Sequence, residues 1–443
     1  MAAAFAVRGI EVLYLVRKDY LPILTRLEHC RYFPLPDLQP LHGWLAKLAH
    51  LSREVRMRYP STDPGLRERY RRMHLQSSFL GGLMDVCYCL LARSRLVVHL
   101  FMRSEKMIAA RCLTGISDEV GTIDQLLLMG FGFKGSEIDG YLTWWGGRNS
   151  KSVVHIVGNY DNLSANGFRG APVLRLLVWG SNMRRDAELI HDIPHECISE
   201  IGSIRYNALF SEKLKSPIVP REQFLESMGL DPSKKTILFA GFFFASQYFE
   251  MIATYLELLE DDDTIQLILR IYPNKSLMSS IYIDPLVSYA KTLNRVAVSV
   301  ADPYYKHGTR GENVLQIEEF ELWNSINSCD CLINVYSTIA IEGCLFDKPV
   351  LYMGYFPRDT GVLAREPMYY DYASNPHNRR LATYSAIVVA KNRKKLKELI
   401  RVVLSDPMGL HAERRRVVHD EIGVLDGLAH ERMVDACTRD FLV

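Results

Sequence analysis

The sequence predicts an α/β protein made of two doubly wound, Rossmann-like domains facing a cleft, and three observations carry that expectation. Short runs rich in Val, Ile and Leu recur without the polar alternation of a strand that has one wet face, so each fits a strand buried on both sides in a parallel sheet. Stretches with helical spacing separate these runs, as crossover connections between parallel strands require. The alternation pauses at a proline-marked segment, Ser216–Arg221, and then restarts, which places one domain at 1–215, a second at 216–409 and a terminal helical segment at 410–443.

In the first domain, Met1–Val16 reads as a helix running into a strand, as if the usual opening strand of a nucleotide-binding domain lay upstream. Strands are expected at Glu11–Val16, Leu96–Phe101, Gln125–Met129, Val153–Val157, Leu176–Trp179 and Cys197–Ile201. In the second they are expected at Thr236–Phe239, Gln266–Ile271, Val296–Val300, Cys331–Tyr336, Pro349–Met353 and Ala386–Val389. A last helix runs from about Leu410 to Leu442, and neither a short-period repeat nor a low-complexity tract interrupts the pattern.

At 443 residues, 48% hydrophobic and 23% charged, the chain exceeds a single core. A net charge of +2 implies no global affinity for polyanions, so nucleic acid is not an expected partner. Charge is uneven, however: Arg53, Arg56, Arg58, Arg67, Arg69, Arg71 and Arg72 crowd one segment. They fit either a solvated helix face or a surface for anionic lipid headgroups. The best membrane-spanning candidate, Gly81–Phe101, is interrupted by Arg93 and Arg95 before it reaches the roughly 20 apolar residues that a span needs. The nine cysteines show no CxxC or zinc spacing and fall mostly in apolar runs, as reduced, buried thiols of a cytoplasmic protein would.

The stretch Cys329–Tyr355 carries the most chemistry. It reads as a buried strand, a hydroxyl-rich turn, a helix opening and a second buried strand. Ser337 and Thr338 stand where the first strand must turn, and Glu342 lies one helical turn on, so hydroxyls, amide N–H groups and a carboxylate converge. That set suits a nucleotide, with phosphate on the hydroxyls and amides and ribose on the acid. The same residues also fit a helix cap followed by a solvated first-turn acid.

Four segments taken together resemble the carboxyl-terminal half of GT-B glycosyltransferases: Thr236–Gly241, Leu267–Pro273, the stretch above and Asp426–Arg432. Asn159–Gly167, Leu176–Gly180 and Glu200–Asn207 are similar to a run found in bacterial surface-polysaccharide transferases and relatives of CDP-glycerol glycerophosphotransferase. The resemblance spans roughly 150–443. It implies a metal-independent transferase that moves a sugar or polyol phosphate from a UDP-, CDP- or GDP-linked donor to a cell-surface glycan or lipid-linked acceptor. No cofactor beyond that donor is implied. The resemblance also implies a terminal helix crossing back to the first domain and a cytoplasmic enzyme, peripheral at the inner face of the membrane. Sugar-nucleotide 2-epimerases share the Asp-Gly-x-Ala-x-Glu-Arg ending, but their amino-terminal His-Gly-Asp-Thr segment has no counterpart here. A non-catalytic nucleotide-binding protein stays open as well.

Ligands of such sheets sit at the carboxyl ends of strands, which singles out further residues. Gly241 and Phe242 follow the first strand of the second domain, where glycine serves either close ligand approach or tight packing. Arg270, just before Tyr272, offers a fork for a diphosphate or one half of a structural ion pair. The resembled pattern usually has histidine where Tyr272 stands. Asp161 either caps a following helix or, by its place in the matched run, is the base that takes the acceptor proton. His377 and His307 are the alternative bases, whereas His155 reads as a core histidine. Gly130–Gly135 is a literal GxGxxG, and a nicotinamide oxidoreductase is the reading it would support. It stands mid-fold, before a helix expected to break at Gly146-Gly147, with Asp161 too late for the ribose acid. The acidic run Glu260–Asp263 reads as a solvated turn rather than a metal site.

Overall fold

The computed structural model describes residues 2–16, 30–34, 41–59, 79–113, 123–129, 137–165, 168, 173–210, 218–241, 245–271, 280–300, 313–355, 373 and 375–438. Helix α1 (Ala2–Ala6) leads into β1 (Val12–Val16), which pairs in parallel with β2 (Cys30–Pro34), a strand absent from the sequence reading. Three helices follow: α2 (Gly43–Met57), α3 (Phe79–Ala92) and α4 (Arg95–Cys112). The expected strand Leu96–Phe101 is therefore a helix. Ser94 caps it by accepting from the Val97 N–H, and its buried positions Val98, Glu105, Ile108, Ala109 and Cys112 recur at helical spacing. The apolar run Leu96–Met102, broken by His99 alone, hid that period.

A four-stranded parallel sheet comes next, in the order β3 (Gln125–Leu128), β4 (Ser152–Ile156), β5 (Arg175–Val178), β6 (Ile198–Glu200). Its crossovers include α5 (Glu137–Arg148) and α6 (Ser181–His191). Helix α5 does not break at Gly146-Gly147. A Cβ on Gly146 would stand 2.6 Å from the Val153 side chain, so glycine there lets helix and sheet touch.

After α7 (Asn207–Phe210) and α8 (Arg221–Ser227) the second sheet begins. It has six parallel strands: β7 (Lys235–Ala240), β8 (Ile265–Ile271), β9 (Val296–Val300), β10 (Cys331–Asn334), β11 (Val350–Met353) and β12 (Ile387–Ala390). Helices α9 (Ala245–Leu259), α10 (Ser280–Thr292), α11 (Asn313–Ser328), α12 (Ile339–Leu345), α13 (Pro376–Leu381) and α14 (Arg393–Ser405) connect or flank them. Every residue of β8 is buried, which explains why its run lacks alternation. Spatially the order is β12-β11-β10-β7-β8-β9. The chain steps outward from β7 to β9, returns to the other side of β7, and steps outward again to β12. This is the doubly wound order, with its switch point between β7 and β10.

The carboxyl-terminal segment is two helices rather than one, α15 (His411–Ile422) and α16 (Ala429–Thr438). They part at Gly423, whose φ of +82° lies in the left-handed region and whose Cβ would sit 2.5 Å from the Trp179 carbonyl oxygen. Helix α15 packs on α12 beside the second sheet. Helix α16 buries Met433, Val434 and Cys437 against Val154, Ile156 and Leu177 of the first. The chain thus crosses back, as the resemblance implies, and this is the GT-B arrangement.

One apolar cluster runs through both halves, joining Val157, Tyr160 and Trp179 to Leu332, Ile341, Tyr352, Leu381 and Ile422. Charges are sealed into the same seam. The Arg380 guanidinium donates through Nε and Nη2 to the two carboxylate oxygens of Glu421 at 2.8 and 2.9 Å, and through Nη1 to Asp186 at 2.9 Å. Asn182 adds a hydrogen bond to Glu421 at 2.9 Å. Removing one member of such a set leaves the others buried without a counter-charge. Arg380→Met is therefore expected to cost about 3–5 kcal/mol of stability, read as a lower urea midpoint.

Candidate functional site

The strand ends of both sheets face one seam. From the first sheet come the residues after β4, β5 and β6; from the second come those after β10 and helix α13. Three of the segments singled out in the sequence meet there. Tyr206 donates to Glu342 Oε1 at 3.1 Å and Arg205 pairs with the same oxygen at 3.1 Å, tying Glu200–Asn207 to the turn after β10. Asn207 Oδ1 accepts from the Ala429 N–H at 3.3 Å, and Asn207 Nδ2 lies 2.6 Å from His430 Nδ1. In the Asp426–Arg432 segment, Arg432 grips Asp426 with two hydrogen bonds and donates to the Ile201 carbonyl at 2.8 Å. That guanidinium holds the Asp426 carboxyl below its ordinary pKa. The segment serves here as a clasp.

Asp161 lies in a turn, not at the start of a helix. Its carbonyl accepts from the Ser164 and Ala165 N–H groups at 3.1 and 2.8 Å, and the side chain that caps the turn is Asn162, which accepts from the Asn159 N–H at 2.8 Å. Oδ1 of Asp161 is buried and has no hydrogen-bond partner. Burial raises the carboxyl's pKa above its ordinary value, opposed only by its own main-chain N–H. The capping role is thus taken by the neighbour, and the aspartate is left with a desolvated, unpaired oxygen.

The turn docks on α13. Ser164 Oγ lies 2.8 Å from Nδ1 of the buried His377, the Tyr160 ring meets the His377 ring edge-on at 5.1 Å, and the Tyr160 hydroxyl donates to Asn378 Oδ1 at 3.0 Å. Burial holds the Tyr160 pKa well above its usual value, so the hydroxyl stays a donor. The fold therefore joins the two candidate bases, from opposite halves of the chain, through one small contact.

On the second sheet, Ser337 and Thr338 follow β10 on the switch point. Thr338 sits at the N-cap of α12 without a side-chain cap bond, so its hydroxyl is not consumed by the helix. Tyr336, just before, holds φ at +46°, a conformation costing an ordinary residue roughly 1–2 kcal/mol. Beneath it Asn334 accepts from the Ser337 N–H at 3.2 Å, while its Nδ2 is buried without a partner. The hydroxyl of Tyr352, the register neighbour of Asn334 on β11, is likewise buried and unpartnered.

Other expected donor contacts take a different shape. Arg270 Nη1 donates to Ser299 Oγ at 2.7 Å and stands 3.8 Å from Glu321, whose carboxylate also binds Ser299. These are the contacts of a structural ion pair. Glu342 is 2% exposed and receives both contacts on Oε1, so it is no solvated first-turn acid. A Cβ on Gly241 would stand 2.5 Å from the Tyr248 ring, which gives that glycine a packing reason. His155 is buried, with Nε2 3.3 Å from Thr143 Oγ1, as a core histidine. Phe242, Tyr272, His307 and Gly130–Gly135 lie outside the described residues. No group of three or more His, Cys, Asp or Glu able to hold a metal occurs among the described residues.

No protein-family model matches the chain, and no curated protein does. Solved structures similar to it include a UDP-GlcNAc 2-epimerase from Neisseria meningitidis bound to UDP-GlcNAc, at 12% identity and a TM-score of 0.44, over 78% of this chain and 82% of that one. A glycosyltransferase from Rickettsia africae matches at 11% and 0.42, over 79% and 83%. The wall teichoic acid polymerase TagF matches at 15% and 0.39, over 61% and 58%. These similarities are low, and the fold assignment stands on strand order.

A stability measurement separates the two readings of Asp161. A carboxyl with a raised folded-state pKa favours folding below its ordinary pKa and loses that advantage as pH rises through the raised one. Asp161→Asn, neutral throughout, should match wild type near pH 3.5 and gain on it as pH rises past the ordinary carboxyl range. Urea midpoints across that range check it; a variant less stable at every pH would restore a structural role.

Proposed function

We propose that the protein is a transferase that moves a sugar or polyol phosphate from a nucleotide-activated donor to a hydroxyl of a glycan or lipid-linked acceptor. The observation that carries this reading is the unpaired, desolvated carboxylate oxygen of Asp161, in a turn after β4 whose Ser164 meets His377 of the second half. Donor phosphates would lie at the ends of β7 and β10, against the hydroxyls of Ser337 and Thr338 and the opening of α12. Asp161 would take the proton of the acceptor hydroxyl as that oxygen attacks the donor carbon or phosphorus, and the nucleotide would leave with the bonding pair. A raised carboxyl pKa suits a base that must hold a proton briefly. His377 would position the Asp161 turn through Ser164. Arg270 and Glu342 would support the donor crevice through Ser299, Arg205 and Tyr206.

The test is a thermal-shift panel of UDP-, CDP- and GDP-sugars and CDP-polyols, followed by turnover with the donor that binds. A ligand at about 100 times its dissociation constant should stabilise the protein by roughly 2.7 kcal/mol. Ser337→Ala and Thr338→Val should each weaken that donor by about 0.5–1.5 kcal/mol. Asp161→Asn should keep donor affinity and lower turnover by about 100-fold or more. Normal turnover in Asp161→Asn would overturn the assignment, and an epimerised donor formed without acceptor would replace transferase with epimerase.

Metal dependence is a separate expectation. Activity should survive EDTA, because amides, hydroxyls and basic groups are expected to receive the leaving phosphate. Loss on chelation with recovery on magnesium or manganese would contradict it.

A further inference from the structure

Helices α3 and α4 are joined by Arg93 and Ser94 alone and pack on α2, with Val55 and Tyr59 meeting Tyr88, Ala92 and Val98 in one core. The faces turned away from that core are apolar. Leu83, Val86 and Leu90 recur at helical spacing on α3, Leu96, Leu100 and Met107 on α4, and each is between 52% and 71% exposed. Single exposed leucines are ordinary, but two stripes on adjoining helices are a patch.

The charge on these helices is of one sign. Arg93, Arg95, Arg103, Lys106 and Arg111 are all exposed. From Phe79 to Cys112 the acids are Asp85 and Glu105, and both are buried and turned inward. Asp85 binds Arg58 at 2.7 Å and Glu105 binds Arg56 at 2.7 Å. Arg56 and Arg58 are therefore not the lipid-facing cations that the arginine-rich segment suggests. They neutralise the two acids of α3 and α4 themselves.

From this pattern we infer that the outer face of α3 and α4 docks on an anionic lipid bilayer, leucines in the headgroup boundary and cations against the lipid charge. Apolar stripes with cations and no exposed acid are the composition of helices that lie in a membrane interface. A second copy of the chain would bring like charges together, and a nucleic acid would leave the leucines unrewarded. No helix among the described residues is long and apolar enough to cross a membrane, so the contact is with the surface. This inference does not rest on the transferase reading.

Flotation of the full chain with phosphatidylcholine vesicles, with and without about 30% phosphatidylglycerol, tests it. Wild type should float with the anionic vesicles, and about 0.5 M salt should release most of it. Arg95→Gln with Arg103→Gln should weaken binding about 25-fold, taking each cation as roughly a fivefold effect. Leu96→Gln with Leu100→Gln should weaken it as well; all four positions are exposed, and circular dichroism confirms the fold. The inference fails if wild type stays in solution with both vesicles, if binding depends on the arginines and not the leucines, or if light scattering shows a dimer that the leucine variants dissolve while wild type ignores vesicles.

Discussion

Arg380 stands between the carboxylates of Asp186 and Glu421, and the packing of both halves follows from keeping those three charges together. Asp186 belongs to a helix of the first sheet, Arg380 to one beside the second, and Glu421 to the helix that leads the chain back. Burial raises the Asp186 pKa more than the arginine lowers it, so the pair is an expensive one to bury and stays so only in close geometry. A planar fork can meet both acids at once; a lysine could not. Around it the apolar cluster closes without a break from Val157 to Ile422.

Much of this was legible in the residues. Eleven of the twelve strands among the described residues lie where buried Val/Ile/Leu runs predict them, because a strand covered on both faces leaves a run that no solvent-facing position interrupts. The same logic misread Leu96–Phe101, where a helix with one exposed apolar face presents nearly the same run, broken by His99 alone. The broken carboxyl-terminal helix was marked by Gly423, but what demands glycine is the Trp179 carbonyl, more than 240 residues earlier in the chain. Of the candidate site, sequence patterns single out Asp161 and the turn after β10. They could not show that Glu342 would be shared with Arg205 and Tyr206, or Arg270 with Ser299, because partners across a fold leave no local spacing. Asn334, a polar residue inside a buried strand, was a readable signal that went unused.

The seam also shows where stability is given up. Most buried polar groups near it are paired, yet Asp161 Oδ1, Asn334 Nδ2 and the Tyr352 hydroxyl are not, and Tyr336 holds a left-handed backbone between them in sequence. Each such group costs folding about 1–3 kcal/mol. Asn159 Oδ1 in the Asp161 turn and Ser203 Oγ after β6 are buried and unpartnered as well, and strain and desolvation gathered at strand ends are what a working surface is expected to carry.

The return of the chain has a mechanical consequence. The two halves are linked covalently twice, once between Phe210 and Ile218 and once around Gly423. The halves cannot part there without moving the backbone at Gly423, which is pressed against Gly180.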